Sequence, residues 1–184
     1  MLVKSKRSIG RVAALVGVAA LAASLVACGP SKPRMWRGAM ATTADASLRD
    51  PGAPTMAQLQ VDLIGLKADE VEAWKAYPVD RYFSGSDDRR QSAQGYTKAF
   101  VFSEPGILTI APNDPIWDVW AKRGVTNLMI LASHKNIAFV PGAEPRRKDI
   151  PLTTNRWKVR QIDVVVRSGG IEIPTPMEPL PVEQ

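Results

Sequence analysis

One cysteine and one histidine are all that this chain of 184 residues offers toward thiol, disulfide or imidazole chemistry. A disulfide framework needs a pair of cysteines and a histidine-rich metal site needs several imidazoles, so both are excluded. A nucleophile-histidine pair could draw only on His134, which follows Ser133 at the end of an expected strand and reads as a solvated loop residue. The G-x-S-x-G, H-E-x-x-H, P-loop and dinucleotide patterns are all missing. Asp87-Asp88 lies in SGSDDRR, which lacks the alternating acidic positions and closing glutamate of a calcium loop, and its adjacent arginines oppose a dication. That stretch reads as a solvated, partly self-neutralised loop, and no metal is expected. A glycosidase pair of carboxylates stays open, because its spacing is set in space rather than along the chain. Charge of one sign is also scarce outside the N-terminus: without Lys4, Lys6, Arg7 and Arg11 the chain holds 20 basic against 18 acidic residues, a net +2. Arg146-Arg147-Lys148 is the one tight basic triplet left, so no nucleic-acid partner is expected.

No apolar run reaches the roughly 18 to 20 residues that a spanning helix requires. The longest, residues 12–26, has 15 and follows a positive segment of residues 1–11. It ends in Leu25-Val26-Ala27-Cys28. This arrangement is a secretory signal that resembles the bacterial lipoprotein lipobox. The resemblance implies cleavage before Cys28 and acylation of its sulfur and its new amine, so the expected modification is a covalent lipid with no other cofactor. Two or three chains, at about 0.8 kcal/mol per buried methylene, make an anchor that hardly reverses. Gly29 rather than aspartate follows the cysteine, which by analogy with Gram-negative lipoproteins implies the periplasmic face of the outer membrane.

After residues 1–27 as signal peptide, residues 28–55 read as the lipidated cysteine and a flexible tether, rich in Gly, Pro, Ala, Ser and Thr with no sustained period. Its 27 residues after Cys28 would hold a domain roughly 30 Å from the bilayer on average. Met35-Trp36 is its one bulky apolar pair, placed either on the membrane surface or against the domain. The folded unit is expected over 56–173, followed by a proline-rich, extended or disordered tail over 174–184.

Strand signals dominate that unit. Leu59, Val61 and Leu63 alternate with polar residues, while residues 126–132 (TNLMILA) are apolar on both faces and suit a covered central strand. Residues 100–102, 107–110, 137–140, 150–152, 157–167 and 171–173 add further strands, with Pro105-Gly106 marking a hairpin or turn. Two helices interrupt them. One lies near Asp69 to Tyr77, with Val71 and Trp74 on one face and Pro78 as its stop. The other follows Asp114-Pro115, carries Ile116, Trp117 and Trp120 on one face, and ends at Gly124, so it plugs one end of a core. Many short strands and two brief helices predict a mainly β fold, a small β-sandwich.

Trp74, Trp117, Trp120 and Trp157 would make a sugar-stacking platform if exposed, although three of them sit on amphipathic faces that favour core packing. The longest connection between strong strands, Leu66 to Gln94, holds a helix, Tyr82-Phe83 and the charged run Asp87 to Arg90. Segments of this length in a compact domain are usually functional or cover an open part of a sheet.

The order of lipobox, tether, a first strand ending in VDLIGLK, the excursion EAWKAYPVDRYFSGSDD and then NLMILASHKNIAF, RRKDIPL and WKVRQIDVVV resembles the outer-membrane lipoproteins of type VI secretion systems, the TssJ family. The resemblance implies a transthyretin-like β-sandwich without catalysis, anchored in the membrane and docked on the periplasmic domain of an inner-membrane secretion protein. Carried over by position, the docking loop is Leu66 to Gln94. Trp74, Tyr82, Phe83 and Arg89 are its expected contacts, since aromatics and arginine are enriched at hot spots. Alanine at Tyr82 and Phe83 is then expected to weaken partner capture without moving the thermal transition. The alternative from another class is a periplasmic lipoprotein that binds a glycan or small molecule through its tryptophans.

Overall fold

The computed structural model describes residues 34–137 and 142–180. Eight strands form two four-stranded sheets: β1 (Ala39–Ala44), β2 (Leu59–Leu66), β3 (Thr97–Phe102), β4 (Gly106–Ile110), β5 (Asn127–Ser133), β6 (Arg147–Pro151), β7 (Gln161–Arg167) and β8 (Gly170–Glu172). One sheet has the order β4-β1-β7-β8 and the other β3-β2-β5-β6. All neighbours are antiparallel except β1 and β7, which run parallel. The expected β-sandwich is the architecture seen.

Alternation explains how the sheets close on each other. Leu59, Val61 and Leu63 of β2 face Leu128, Ile130 and Ala132 of β5 within one core, which Ile162, Val164 and Val166 of β7 complete from the opposite sheet. Helix α4 (Ile116–Arg123) seals an end of that core with Trp117 and Trp120, both fully buried and edge-on to each other at 5.1 Å. The Asp114 carboxylate accepts the Ile116 N–H at 3.0 Å, and Gly124 closes the helix in the left-handed region at φ 76°, as its sequence signals implied.

The largest departure lies in the expected tether. Residues 39–44 form β1, which sits inside its sheet between β4 and β7. Met40, Thr42 and Ala44 point into the core, Leu48 is buried just beyond, and the Trp36 indole donates to the Val159 carbonyl at 3.1 Å. The fold therefore begins at Arg34, whose carbonyl accepts the Thr154 N–H, rather than at Met56, and five residues rather than 27 separate it from Cys28. The sequence AMATTA hides the strand because alanine and threonine give little polar-apolar contrast. Two flanking hydrogen-bonded ladders hold it in place, and Met40 is its one large inward side chain.

Other expectations shift less. Pro105-Gly106 marks a turn, but β3 and β4 do not pair; the turn carries the chain from one sheet to the other. The strand expected over 157–167 starts at Gln161, since Trp157 is committed to the core from a loop and donates to the Pro151 carbonyl at 2.6 Å. The strand expected over 137–140 falls outside the described residues beyond Ile137, which lies in a turn. The proline-rich tail is extended and tied to the domain as far as Glu178: Thr175 is buried, its hydroxyl accepts the Asp163 N–H at 2.8 Å, and the Glu178 N–H donates to the Arg156 carbonyl at 2.9 Å.

Candidate functional site

On the face turned away from the sandwich β2 carries Ile64 and Leu66 beyond Asp62, and β5 carries Met129 and Leu131, so that face also needs cover. The excursion between β2 and β3 supplies it. After a 3₁₀ turn (Ala68–Glu70) come three short helices, α1 (Val71–Lys75), α2 (Val79–Tyr82) and α3 (Asp88–Ala93). Val71, Trp74, Val79, Tyr82 and Ala93 pack on Ile64 and Leu66 of β2 and on Met129 and Leu131 of β5, making a second core outside the sandwich. Pro78 separates α1 from α2 because it cannot continue the first helix but suits the start of the second. The single helix expected from Asp69 to Tyr77 is thus one part of a three-helix layer.

Charge locks this layer to the sheet. Asp62 projects from the middle of β2 into the second core, where its carboxylate accepts from the Tyr82 phenol at 2.9 Å and from Arg90 Nε at 3.2 Å. Asp87 caps α3 by accepting the Arg90 N–H at 2.8 Å, and it also accepts from the Tyr77 phenol. Both carboxylates are almost wholly enclosed, an arrangement that holds only while the donors stay in place. Burial, then the Asp62 charge, pushes the Tyr82 phenol far above its usual range, so it remains a donor throughout ordinary pH. The bond to Asp87 likewise raises Tyr77.

The arginines add a second lock. Arg89 lies over the Tyr77 ring at 4.2 Å and the Trp74 ring at 5.2 Å, and donates to the Ala73 carbonyl at 2.8 Å. Arg90 lies over Phe83 at 5.1 Å and Tyr82 at 5.5 Å. Between Asp62, Tyr82, Asp87 and Arg90 a partly open cavity of about 340 Å³ reaches the surface at Ser84 and Gly85.

This geometry divides the four expected contact residues. Trp74 and Tyr82 are interior, at 6% and 0% exposure, so they support the layer and do not present a surface to a partner. Their period along the short helices turns them toward the sheet, which needs the apolar cover. Phe83 and Arg89 are half-buried and reach the outer side of the layer. The sequence reading missed Asp62, Tyr77, Asp87 and Arg90. Asp87 stands as an N-cap before a helix and not in a solvated loop, and the signal for it was an aspartate opening a short helical run.

His134 is also interior, at 7% exposure. Its Nδ1 accepts the Asn136 N–H at 3.1 Å, which leaves Nε2 protonated to donate to the Ala57 carbonyl at 3.0 Å. The solvated histidine expected from its loop position is therefore a structural one. All five tryptophans are buried, which removes the sugar-stacking platform. Two of the three residues of the basic triplet are occupied: Arg146 pairs with Asp80 and Glu144, and Arg147 donates to the Trp74 carbonyl. Cys28 lies outside the described residues.

No family model matches the sequence, and no curated protein matches it. Solved structures do. A chain in the structure of a type VI membrane complex superposes with a TM-score of 0.50 at 11% identity, over 76% of this chain and 98% of that one. A chain in the structure of the T6SS protein TssM C-terminal domain (869-1107) from EAEC gives 0.50 at 11% identity, over 74% and 98%. This is a fold found in type VI secretion structures. The T6SS lipoprotein TssJ1 from Pseudomonas aeruginosa aligns at 16% identity over 80% of this chain and 99% of its own, with a TM-score of 0.49 that carries no argument by itself. The fold implied by the sequence resemblance and the fold of the molecule agree; at these identities the likeness speaks to fold alone.

Proposed function

We propose that this chain is a non-enzymatic lipoprotein of the envelope-spanning type VI secretion complex, anchored through Cys28 in the outer membrane on its periplasmic face. It holds the periplasmic domain of an inner-membrane secretion protein. The observation that carries this reading is the helical layer of residues 66–94, which builds its own core and ionic locks on the outside of a sandwich that is already closed. Supporting it are the fold shared with chains of type VI structures and the lipobox ending at Cys28. Phe83 and Arg89 are the contact residues, held in position by Trp74 and Tyr82.

Deleting the layer is a poor test, because it would uncover Ile64, Leu66, Met129 and Leu131 and remove the Tyr82 and Arg90 donors from Asp62. Mild-detergent capture of the full-length protein from its native envelope, beside a Phe83→Ala/Arg89→Ala variant of matched thermal midpoint, separates docking from folding. One dominant inner-membrane partner that is lost from the variant supports the proposal. Equal capture by both proteins would rule this surface out. Recovery of cell wall and lipid alone would remove the secretion reading.

A further inference from the structure

The five residues Gly29 to Pro33 are all that lie between Cys28 and Arg34. Fully extended, that link spans at most about 22 Å from the anchor to the fold. The part of the sandwich where the fold begins is therefore held at the bilayer, provided the lipid anchor proposed above exists. That part is built by three segments. The Thr154 N–H donates to the Arg34 carbonyl at 2.9 Å, the Trp36 indole reaches the Val159 carbonyl, and the Ala39 N–H donates to the Arg160 carbonyl at 2.9 Å. Arg37 ties the same region to the turn before α4 through the Pro112 carbonyl at 2.9 Å and to α4 itself through the Asp118 carboxylate at 2.8 Å. Arg34 and Arg37 share a surface hollow with Ala121 and Gly124 of that helix and its cap.

The surface these segments present is cationic. Arg34, Lys122, Lys158 and Arg160 are exposed and have no ionic partner among the described residues. Near them Asp118 is engaged by Arg37, Asp114 by Lys98 and Glu70 by Arg123. Val119 and Val159, from the same helix and loop as these cations, are exposed at 38% and 37%. Residues 34–180 carry a net charge of only +2, so this concentration is not a property of the whole surface.

We infer that this end of the sandwich rests on the headgroups of an anionic bilayer, with Arg34, Lys122, Lys158 and Arg160 against the phosphates. Attraction of basic residues to an anionic leaflet fades within a Debye length, roughly 8 to 10 Å in physiological salt. The short link keeps the cations close enough for it to act. The acyl chains anchor the protein, and the cations fix which side of the domain faces the membrane, leaving the helical layer free for a partner.

The test uses the lipidated full-length chain carrying Lys122→Cys, labelled with a fluorophore, in vesicles of phosphatidylcholine alone or mixed with phosphatidylglycerol. Acrylamide, an uncharged quencher, reads exposure. The label at 122 loses acrylamide access in the anionic vesicles and regains it when Arg34, Lys158 and Arg160 are changed to glutamate; a label at Gly85→Cys does not respond. Equal quenching at 122 in both vesicles overturns the proposal, as does equal protection of both labels. Mass spectrometry of the same sample reports the acyl chains on Cys28. Their absence would overturn the anchor and this orientation together, whereas acylated protein with unchanged quenching overturns the orientation alone.

Discussion

The Tyr82 phenol donates to the Asp62 carboxylate at 2.9 Å, joining the helical layer to the centre of β2 across 20 residues of sequence. Neither group is accessible to a partner. Removing the hydroxyl alone, in Tyr82→Phe, leaves Asp62 with one donor fewer and is expected to cost about 1 to 3 kcal/mol. Tyr82→Ala also opens a cavity and is expected to cost about 3 to 5 kcal/mol. Urea unfolding measures both. An unchanged midpoint, which the sequence reading expected for the alanine variant, would mean that the layer is not locked in this way.

Gly65 of β2 lies against the Trp120 ring so closely that an added Cβ would stand 2.4 Å from it. Trp120 cannot yield easily, because its indole donates to the Tyr96 carbonyl at 2.9 Å. Gly65→Ala is accordingly expected to lower stability by about 1 to 3 kcal/mol. Gly85→Ala, with open space around it, serves as the control and is expected to leave the midpoint in place. Parity of the two variants would contradict this packing.

Strand β1 gives opposite signs at neighbouring inward positions. Met40 is fully buried, so Met40→Ala is expected to destabilise by about 2 to 5 kcal/mol. The Thr42 hydroxyl is buried without a hydrogen-bond partner among the described residues, so the near-isosteric Thr42→Val is expected to stabilise by about 1 kcal/mol. Residues in a tether would show neither effect, and chemical denaturation of the two variants decides between strand and tether.

How much of this the residues reveal depends on side-chain contrast. Strands β2 and β5 and helix α4 are legible, because leucine, isoleucine and tryptophan recur at strand or helix spacing. β1 is not, since alanine and threonine carry no such pattern and its place between two ladders is a long-range fact. Helices α2 and α3, of four and six residues, are too short for a period to show. Asp62 looks like the polar face of a half-buried strand. Only the fold reveals that this face has a second layer over it, in which Tyr82 and Arg90 wait for the carboxylate.

His134 sets a pH dependence. Burial holds its pKa below the ordinary 6.5, reinforced by Lys135 and opposed by the Ala57 carbonyl and Asp50. A proton on Nδ1 would also forfeit the Asn136 N–H bond. The unfolded chain binds this proton more readily than the folded one, so the contribution to stability is complete above about pH 6.5 and is lost as pH falls through the depressed folded value. Between about pH 7 and pH 5 the thermal midpoint of the native protein should fall more than that of His134→Gln. Parallel curves would remove His134 as the cause.

The docking surface itself is tested most directly by a photo-crosslinker. Benzoylphenylalanine replaces Phe83 in the full-length protein within its native envelope, and in a second sample it replaces Val159, on the side assigned to the bilayer. One dominant protein adduct from position 83, reduced by Arg89→Glu and absent from position 159, is the predicted result. Membrane-associated protein that yields no adduct at 83, or the same adduct at both positions, would contradict the helical layer as the proposed docking surface.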